Sequence, residues 1–126
     1  MQIYLLYAGV LLIAIGAVHS ILGEILIFRH LRTNGFLPSV AAPPLKLRNL
    51  RIIWASWHAL SVLGWAFAAV LIRIAVPHDD QTVQLFVINA INYACLVSSL
   101  LVLISTKGKH PGWIGLLGAA ILIWLR

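Results

Sequence analysis

The sequence predicts an all-α, polytopic membrane protein: an antiparallel bundle of four transmembrane helices with both termini on the outer side. The chain of 126 residues is 62% hydrophobic and only 10% charged, whereas a soluble domain carries about 25% charged residues. Its apolar residues form continuous stretches of about 20, the length that crosses a bilayer core. Its basic residues concentrate in two of the three predicted connections, which indicates the orientation.

The first predicted span covers residues 2–28. No basic region precedes it and its apolar run is too long for a signal peptide, so we expect a retained helix. Gly9, Gly16 and Gly23 recur every seven residues, and His19 and Ser20 share their helical face. Because small residues let helices approach closely, this face is predicted to point into the bundle.

A basic connection, 29–50, leads to the second predicted span, 50–76. Asn34-Gly35 and Pro43-Pro44 in the connection are helix breakers. Successive steps of three and four residues place a polar and aromatic stripe on one face of the second span. The stripe consists of Arg51, Trp54, His58, Ser61 and Trp65. Trp54 and its neighbour Trp57 also fit the aromatic belt of a membrane interface.

The third predicted span covers 83–105 and the fourth 111–125, so that residues 1–126 form a single transmembrane domain. The turn 77–82 has no lysine or arginine, whereas the turn 106–110 is basic. Cytoplasmic loops are enriched in basic residues, which predicts that both termini lie outside. The inner residues would be Arg29, Arg32, Lys46, Arg48, Arg51, Lys107 and Lys109, against Arg73 and Arg126 outside.

The net charge of +6 would suggest nucleic-acid binding in a soluble protein. Here most of the basic residues fall in loops between apolar spans, where they bind anionic headgroups and set topology. The sequence therefore predicts the lipid bilayer as a partner, and no nucleic acid.

A candidate site comes from three ionisable residues inside the apolar spans. Glu24 is the only carboxylate there. At about 1.5 Å per residue, Glu24 and His19 lie roughly 8 and 15 Å from the inner end of the first helix. His58 lies roughly 12 Å from the inner end of the second. Antiparallel neighbours would bring the three to comparable depth in the inner leaflet, where ionisable groups are costly and so are functional candidates.

One interpretation of His19, Glu24 and His58 is a metal site. Two histidines and a carboxylate are a common ligand set for zinc or iron. However, His19 and Glu24 are five residues apart, which separates them by about 140° around a helix. A shared metal would then need a long reach or a local distortion.

The alternative is a structural cluster in which Glu24 pairs with Arg51 or Arg29, because a buried charge must be paired. The histidines would then bond to Ser61, Tyr93 or backbone. A proton or quinone site, or a haem, is also open, although histidines on adjacent helices about 8–10 Å apart are too close for haem. The supporting residues in all of these interpretations are Ser20, Arg51, Ser61, Asn92 and Tyr93.

The motifs of this site resemble those of a group of small four-helix bacterial inner-membrane proteins of uncharacterised function. The pattern is His19-Ser20-x-x-Gly23-Glu24, followed after a basic loop by Trp57-His58-x-x-Ser61. The resemblance implies a multi-pass protein of the bacterial inner membrane. It also implies that His19, Glu24, His58 and Ser61 form one constellation, but it implies no activity.

Three functional hypotheses follow. The first is a membrane protein whose buried His/Glu cluster binds a metal or serves a redox reaction. The second is a small accessory subunit that packs against other membrane subunits, because the chain predicts no soluble domain. The third is a small transporter or channel, acting as a homo-oligomer, with Asn89, Asn92 and Tyr93 along its path. No enzyme motif is matched, so the sequence leaves catalytic activity open.

Overall fold

A computed structural model describes residues 2–77 and 79–125, and these residues form four α-helices without a β-strand. The helices are α1 (Ile3–Leu26), α2 (Leu47–Ala75), α3 (Asp80–Thr106) and α4 (Gly112–Trp124). A short 3-10 helix, Phe28–Leu31, follows α1. The predicted all-α fold with four helices is therefore confirmed.

Three of these helices can cross a membrane. α1, α2 and α3 have 24, 29 and 27 residues and are apolar enough to span, and at about 1.5 Å per residue each exceeds a core of about 30 Å. α4 has only 13 residues and a length of roughly 20 Å. Three of the four predicted spans are thus confirmed as helices long and apolar enough to cross a membrane, and the crossing by the fourth stays a prediction.

Each helix packs mainly on the next one in the chain, α1 on α2, α2 on α3 and α3 on α4. The first pair is antiparallel, because the Gln2 N–H at the start of α1 donates to the Ala75 carbonyl at the end of α2 at 2.7 Å. The last pair is antiparallel as well, since Ser99 of α3 donates to the Trp113 carbonyl at the start of α4. The short connections after α2 and α3 impose this arrangement.

A glycine seam, formed by Gly9, Gly16 and Gly23, joins α1 to α2, and all three glycines are buried. A Cβ atom added at Gly16 would lie 2.5 Å from the Trp65 indole nitrogen, and one at Gly23 would overlap the Trp57 indole. The seam thus accommodates large side chains of α2 against the α1 backbone. The predicted inward direction of this α1 face is confirmed.

The connection between α1 and α2 folds back against the end of this helix pair. Phe28 and Pro38 are fully buried, and the Val40 N–H donates to the Leu31 carbonyl at 3.0 Å. Arg51, near the start of α2, donates to the Pro38 carbonyl at 3.1 Å. This packing places the residues that follow α1 beside the candidate site.

Candidate functional site at the α1–α2 interface

Glu24, in the last turn of α1, is the centre of a polar cluster. One carboxylate oxygen, Oε2, forms an ion pair with Arg32. The other, Oε1, accepts hydrogen bonds from Trp54 Nε1 at 2.6 Å and from His58 Nε2 at 3.0 Å. The carboxylate therefore has a cationic partner on one oxygen and two donors on the other, which compensates its charge in an apolar setting.

The cationic partner of Glu24 is Arg32, and not Arg51 or Arg29 as the sequence suggested. The 3-10 helix after α1 turns the chain, and Arg32 Nε donates to the Phe28 carbonyl at 3.4 Å. Arg29 is exposed, while the Arg51 guanidinium bonds to the connection. The choice of arginine is decided by the path of this turn, which helical spacing does not report.

From Glu24 a row of hydrogen bonds continues between the two helices. His58 Nδ1 lies 3.0 Å from Ser20 Oγ, and the Ser20 hydroxyl donates to Ser61 Oγ at 2.9 Å. The burial of the side chains increases along the row, from Glu24 at 30% exposed and His58 at 15% to Ser61 at 3%. We call this sequence of contacts, Arg32–Glu24–His58–Ser20–Ser61, the polar row.

The protonation of His58 follows from its neighbours. A carboxylate has only acceptors, so the contact with Glu24 requires a proton on Nε2. Nδ1 faces the Ser20 hydroxyl, which can either accept from a protonated nitrogen or donate to an unprotonated one. Because the two hydroxyls can reverse their donor direction together, the ring keeps both hydrogen bonds in its charged and in its neutral form.

His19 lies beside the polar row, and no hydrogen bond in the described part of the chain joins its side chain to the row. Its ring stacks on Trp57 with centroids 4.3 Å apart and an angle of 8°, and Trp57 Nε1 donates to the His19 carbonyl at 2.9 Å. His19 Nε2 is buried without a hydrogen-bond partner among the described residues. The five-residue spacing from Glu24 explains this separation, because it turns the two side chains to different sides of α1.

The described residues contain no group of three or more His, Cys, Asp or Glu side chains that could hold a metal ion. Both oxygens of Glu24 and both ring nitrogens of His58 already have partners. A metal at this place would have to displace Arg32 or Ser20. Metal binding by His19, Glu24 and His58 therefore stays a prediction.

Aromatic side chains enclose His58 on two sides. The ring centroids of Trp54 and Phe28 lie 4.7 and 6.0 Å from that of His58. Trp54 and Trp57 are thus hydrogen-bonded parts of the site, a role that their interpretation as interfacial-belt residues does not predict. A signal was present for Trp54, which shares the helical stripe of His58.

Asn92 and Tyr93 lie elsewhere. With Asn89, Ile123 and Trp124 they line a cleft of about 240 Å³ between α3 and α4. Asn92 is only 7% exposed, and its Oδ1 has no hydrogen-bond partner in the described part of the chain. No hydrogen bond found in residues 2–77 and 79–125 links Asn92 or Tyr93 to the polar row, so the expected supporting role is not seen there.

A second cleft, of about 200 Å³, lies between α1 and α2 at the Ser61 end of the polar row. His19 and Ser61 provide its polar lining, and the small residues Gly16 and Gly64 form part of its walls. The remaining walls are the apolar side chains of Leu12, Ile15 and Leu60. The polar row therefore connects the end of α1 with a cleft beside the middle of α2.

Comparison of the chain with family models, with curated proteins and with solved structures finds no match. The resemblance carried by the two sequence patterns stays a prediction. Function is therefore inferred from the chemistry of this chain's own residues.

Proposed function

We propose that this chain is a multi-pass membrane protein whose polar row holds and releases a proton inside the hydrocarbon region. The continuous row of hydrogen bonds from Arg32 to Ser61 carries this proposal. Ionisable groups at such depth are costly and are retained mainly where they serve a function. The ion pair of Glu24 with Arg32 offsets the charge, which leaves His58 as the group whose charge changes.

The proposed step moves one proton and leaves every hydrogen bond in place. The charged His58 ring gives its Nδ1 proton to Ser20, the Ser20 hydroxyl proton passes to Ser61, and the Ser61 hydroxyl proton passes to an acceptor oxygen of a molecule in the adjoining cleft. The Nδ1–H bond breaks and a new O–H bond forms on Ser20, and the Nε2 proton still donates to Glu24. A proton that returns along the same row restores the charged ring. The 2.9 and 3.0 Å contacts are short enough for such a transfer.

Histidine-selective ¹⁵N NMR of the chain in lipid nanodiscs tests this proposal. Across a pH series we expect the His58 ring in two forms, both protonated at Nε2 and differing at Nδ1. The Ser20→Ala variant should change the Nδ1 resonance, whereas Ser56→Ala, on an exposed position of α2, should not. A His58 ring that keeps one form at every pH at which the helices remain folded would overturn the proposal.

For the orientation, we propose that α4 also crosses the bacterial inner membrane, so that both termini lie outside and the connection after α1 lies in the cytoplasm. The excess of basic residues in the connection after α1 and in the turn after α3 supports this. In a Cys95→Ser background, Gln81→Cys should react with an impermeant thiol reagent on intact cells. Asn34→Cys and Lys109→Cys should react only after permeabilisation, and the reverse pattern would invert the topology.

A second candidate function is that of a small oligomeric transporter or channel, which the polar cleft around Asn92 favours. Proteoliposomes containing the chain would then swell faster in glycerol or urea than empty liposomes. Asn92→Leu should abolish the difference, whereas Gly115→Leu, at an open position of α4, should keep it. Equal swelling of protein-containing and empty liposomes would exclude this function.

A further inference from the structure

The cleft between α1 and α2 lies close to the middle of the membrane if α2 spans it. Ser61 is the central residue of the 29-residue helix α2, so it lies roughly 21 Å from either helix end. A bilayer core is about 30 Å thick, which puts phospholipid ester groups about 15 Å from its centre. A molecule that reaches Ser61 must therefore be dissolved in the hydrocarbon itself.

The polar lining of this cleft has unused hydrogen-bonding capacity. When Ser20 donates to Ser61, the Ser61 hydroxyl hydrogen has no other acceptor in the described part of the chain. His19 also lines the cleft, and its buried Nε2 has no partner there either. In hydrocarbon, no water is present to satisfy these groups. A ligand that offers an acceptor oxygen to Ser61 would complete the polar row.

The remaining lining restricts the size and character of such a ligand. A volume of about 200 Å³ lies below the roughly 300–1,000 Å³ of pockets for drug-sized molecules, so it admits one ring rather than several. Leu12 and Ile15 present an apolar wall. Leu60 is 60% exposed, so an apolar tail can leave the cleft toward lipid at this side.

We propose that this cleft binds the head ring of a quinone-type molecule, an apolar ring with carbonyl oxygens and a lipid-soluble tail. This inference rests on the proposed function, because the same polar row would donate to the ligand. With a carbonyl on Ser61, the donors align in one direction, from His58 through Ser20 and Ser61 to the ligand. Binding of the ring should thus favour the charged form of His58, which is the form that can release a proton.

The test is the binding of a benzoquinone with a single isoprenoid unit to the full chain in nanodiscs, measured by isothermal titration calorimetry against empty nanodiscs. Gly64 lines the cleft, and a Cβ atom added there meets no atom within 4 Å. Gly64→Leu should therefore fill the cleft and weaken binding more than tenfold. The matched control is Gly115→Leu on α4, also an open position, which should bind like wild type.

Ser61→Ala should weaken binding by about fivefold to tenfold, the effect of one lost hydrogen bond. Leu60→Trp, which obstructs the opening of the cleft from an exposed position, should reproduce the loss if Gly64→Leu fails to fold. Equal binding by wild type, Gly64→Leu and Leu60→Trp would overturn the inference. The corresponding isoprenyl benzene has the same tail but lacks the carbonyls. If it bound equally tightly, this would also overturn the inference, because the hydrogen bond from Ser61 would then contribute nothing to binding.

The outcomes separate this inference from the proposed function. Gly64-dependent binding together with a His58 ring of constant form would keep the ligand site and exclude proton release. Two ring forms of His58 without any quinone binding would keep the proton site and exclude this ligand. Saturating the wild-type chain with the benzoquinone should increase the fraction of doubly protonated His58 in the NMR spectrum. No change in this fraction would contradict the coupling between ligand binding and His58 protonation.

Discussion

Replacing Glu24 by Gln is the sharpest test of the polar row as a charge-paired unit. The substitution keeps the shape of the side chain and an acceptor for Trp54 and His58, but it removes the negative charge that faces Arg32. Removing one partner of a fully buried pair costs about 3–5 kcal/mol, whereas an exposed pair contributes only about 0.2–1 kcal/mol. The side chains of Glu24 and Arg32 are 30% and 18% exposed, so we discount the buried value for solvent screening.

We therefore expect Glu24→Gln to lower the free energy of unfolding by about 2 kcal/mol, a value between those for exposed and buried pairs. The weaker hydrogen bond from His58, which no longer meets a charged acceptor, is part of this loss. Reversible unfolding in mixed micelles of mild detergent and sodium dodecyl sulfate, followed by circular dichroism, measures it. Asp80→Asn is the matched control, because Asp80 is an exposed acid in the first turn of α3 and should change stability by less than about 0.5 kcal/mol.

A double-mutant cycle with Arg32→Gln isolates the pair. If Arg32 acts mainly through Glu24, the second substitution should cost less in the Glu24→Gln background than in wild type. The expected coupling energy is about 1–2 kcal/mol, within the range for contacting residues. Independent effects of the two substitutions, or a Glu24→Gln loss no larger than that of Asp80→Asn, would refute the charge-paired row.

Three further predictions concern packing and unpaired polar groups. Gly23→Ala should destabilise the chain by about 1–3 kcal/mol, because its Cβ would overlap an indole, while Gly64→Ala should be nearly neutral. Micelle unfolding of the two variants compares them, and similar losses would contradict the close approach in the glycine seam. Ser20→Ala should cost about 1–2 kcal/mol in the same assay, since it leaves His58 Nδ1 without its hydroxyl, and an unchanged midpoint would show that this bond is unimportant. Asn92→Leu should leave stability unchanged or raise it, because it removes a buried oxygen without a partner, whereas a loss above about 1 kcal/mol would point to a hydrogen bond that this amide makes.

Much of the fold was predictable because its signals are local. The continuous apolar runs require helices, since only a helix satisfies its own backbone in lipid. The seven-residue recurrence of Gly9, Gly16 and Gly23 indicated the packed face of α1. The predicted helix bounds were less accurate. The sequence suggested that α2 starts near residue 50, whereas the helix begins at Leu47, shortly after the Pro43-Pro44 break.

The candidate site was predictable only in part. The helical spacing of Trp54, His58 and Ser61 placed them on one stripe, and all three contact the α1 side of the interface. The same spacing set Glu24 and His19 apart on α1, and the structure separates them accordingly. Which side chains form hydrogen bonds with each other depends on how far one helix is shifted along the other. The sequence of a single helix does not determine that shift.

The sequence by itself determined the class of protein, the four helices and the faces that pack, because hydropathy and periodicity act over a few neighbouring residues. Only the tertiary structure decided that Arg32 pairs with Glu24, since a 3-10 helix and a folded connection bring it there. It also decided that His19 stacks on Trp57 and that the polar row ends at a cleft. The contacts between α1 and α2 join residues about 40 positions apart in the chain, whose distance is set by how the helices pack.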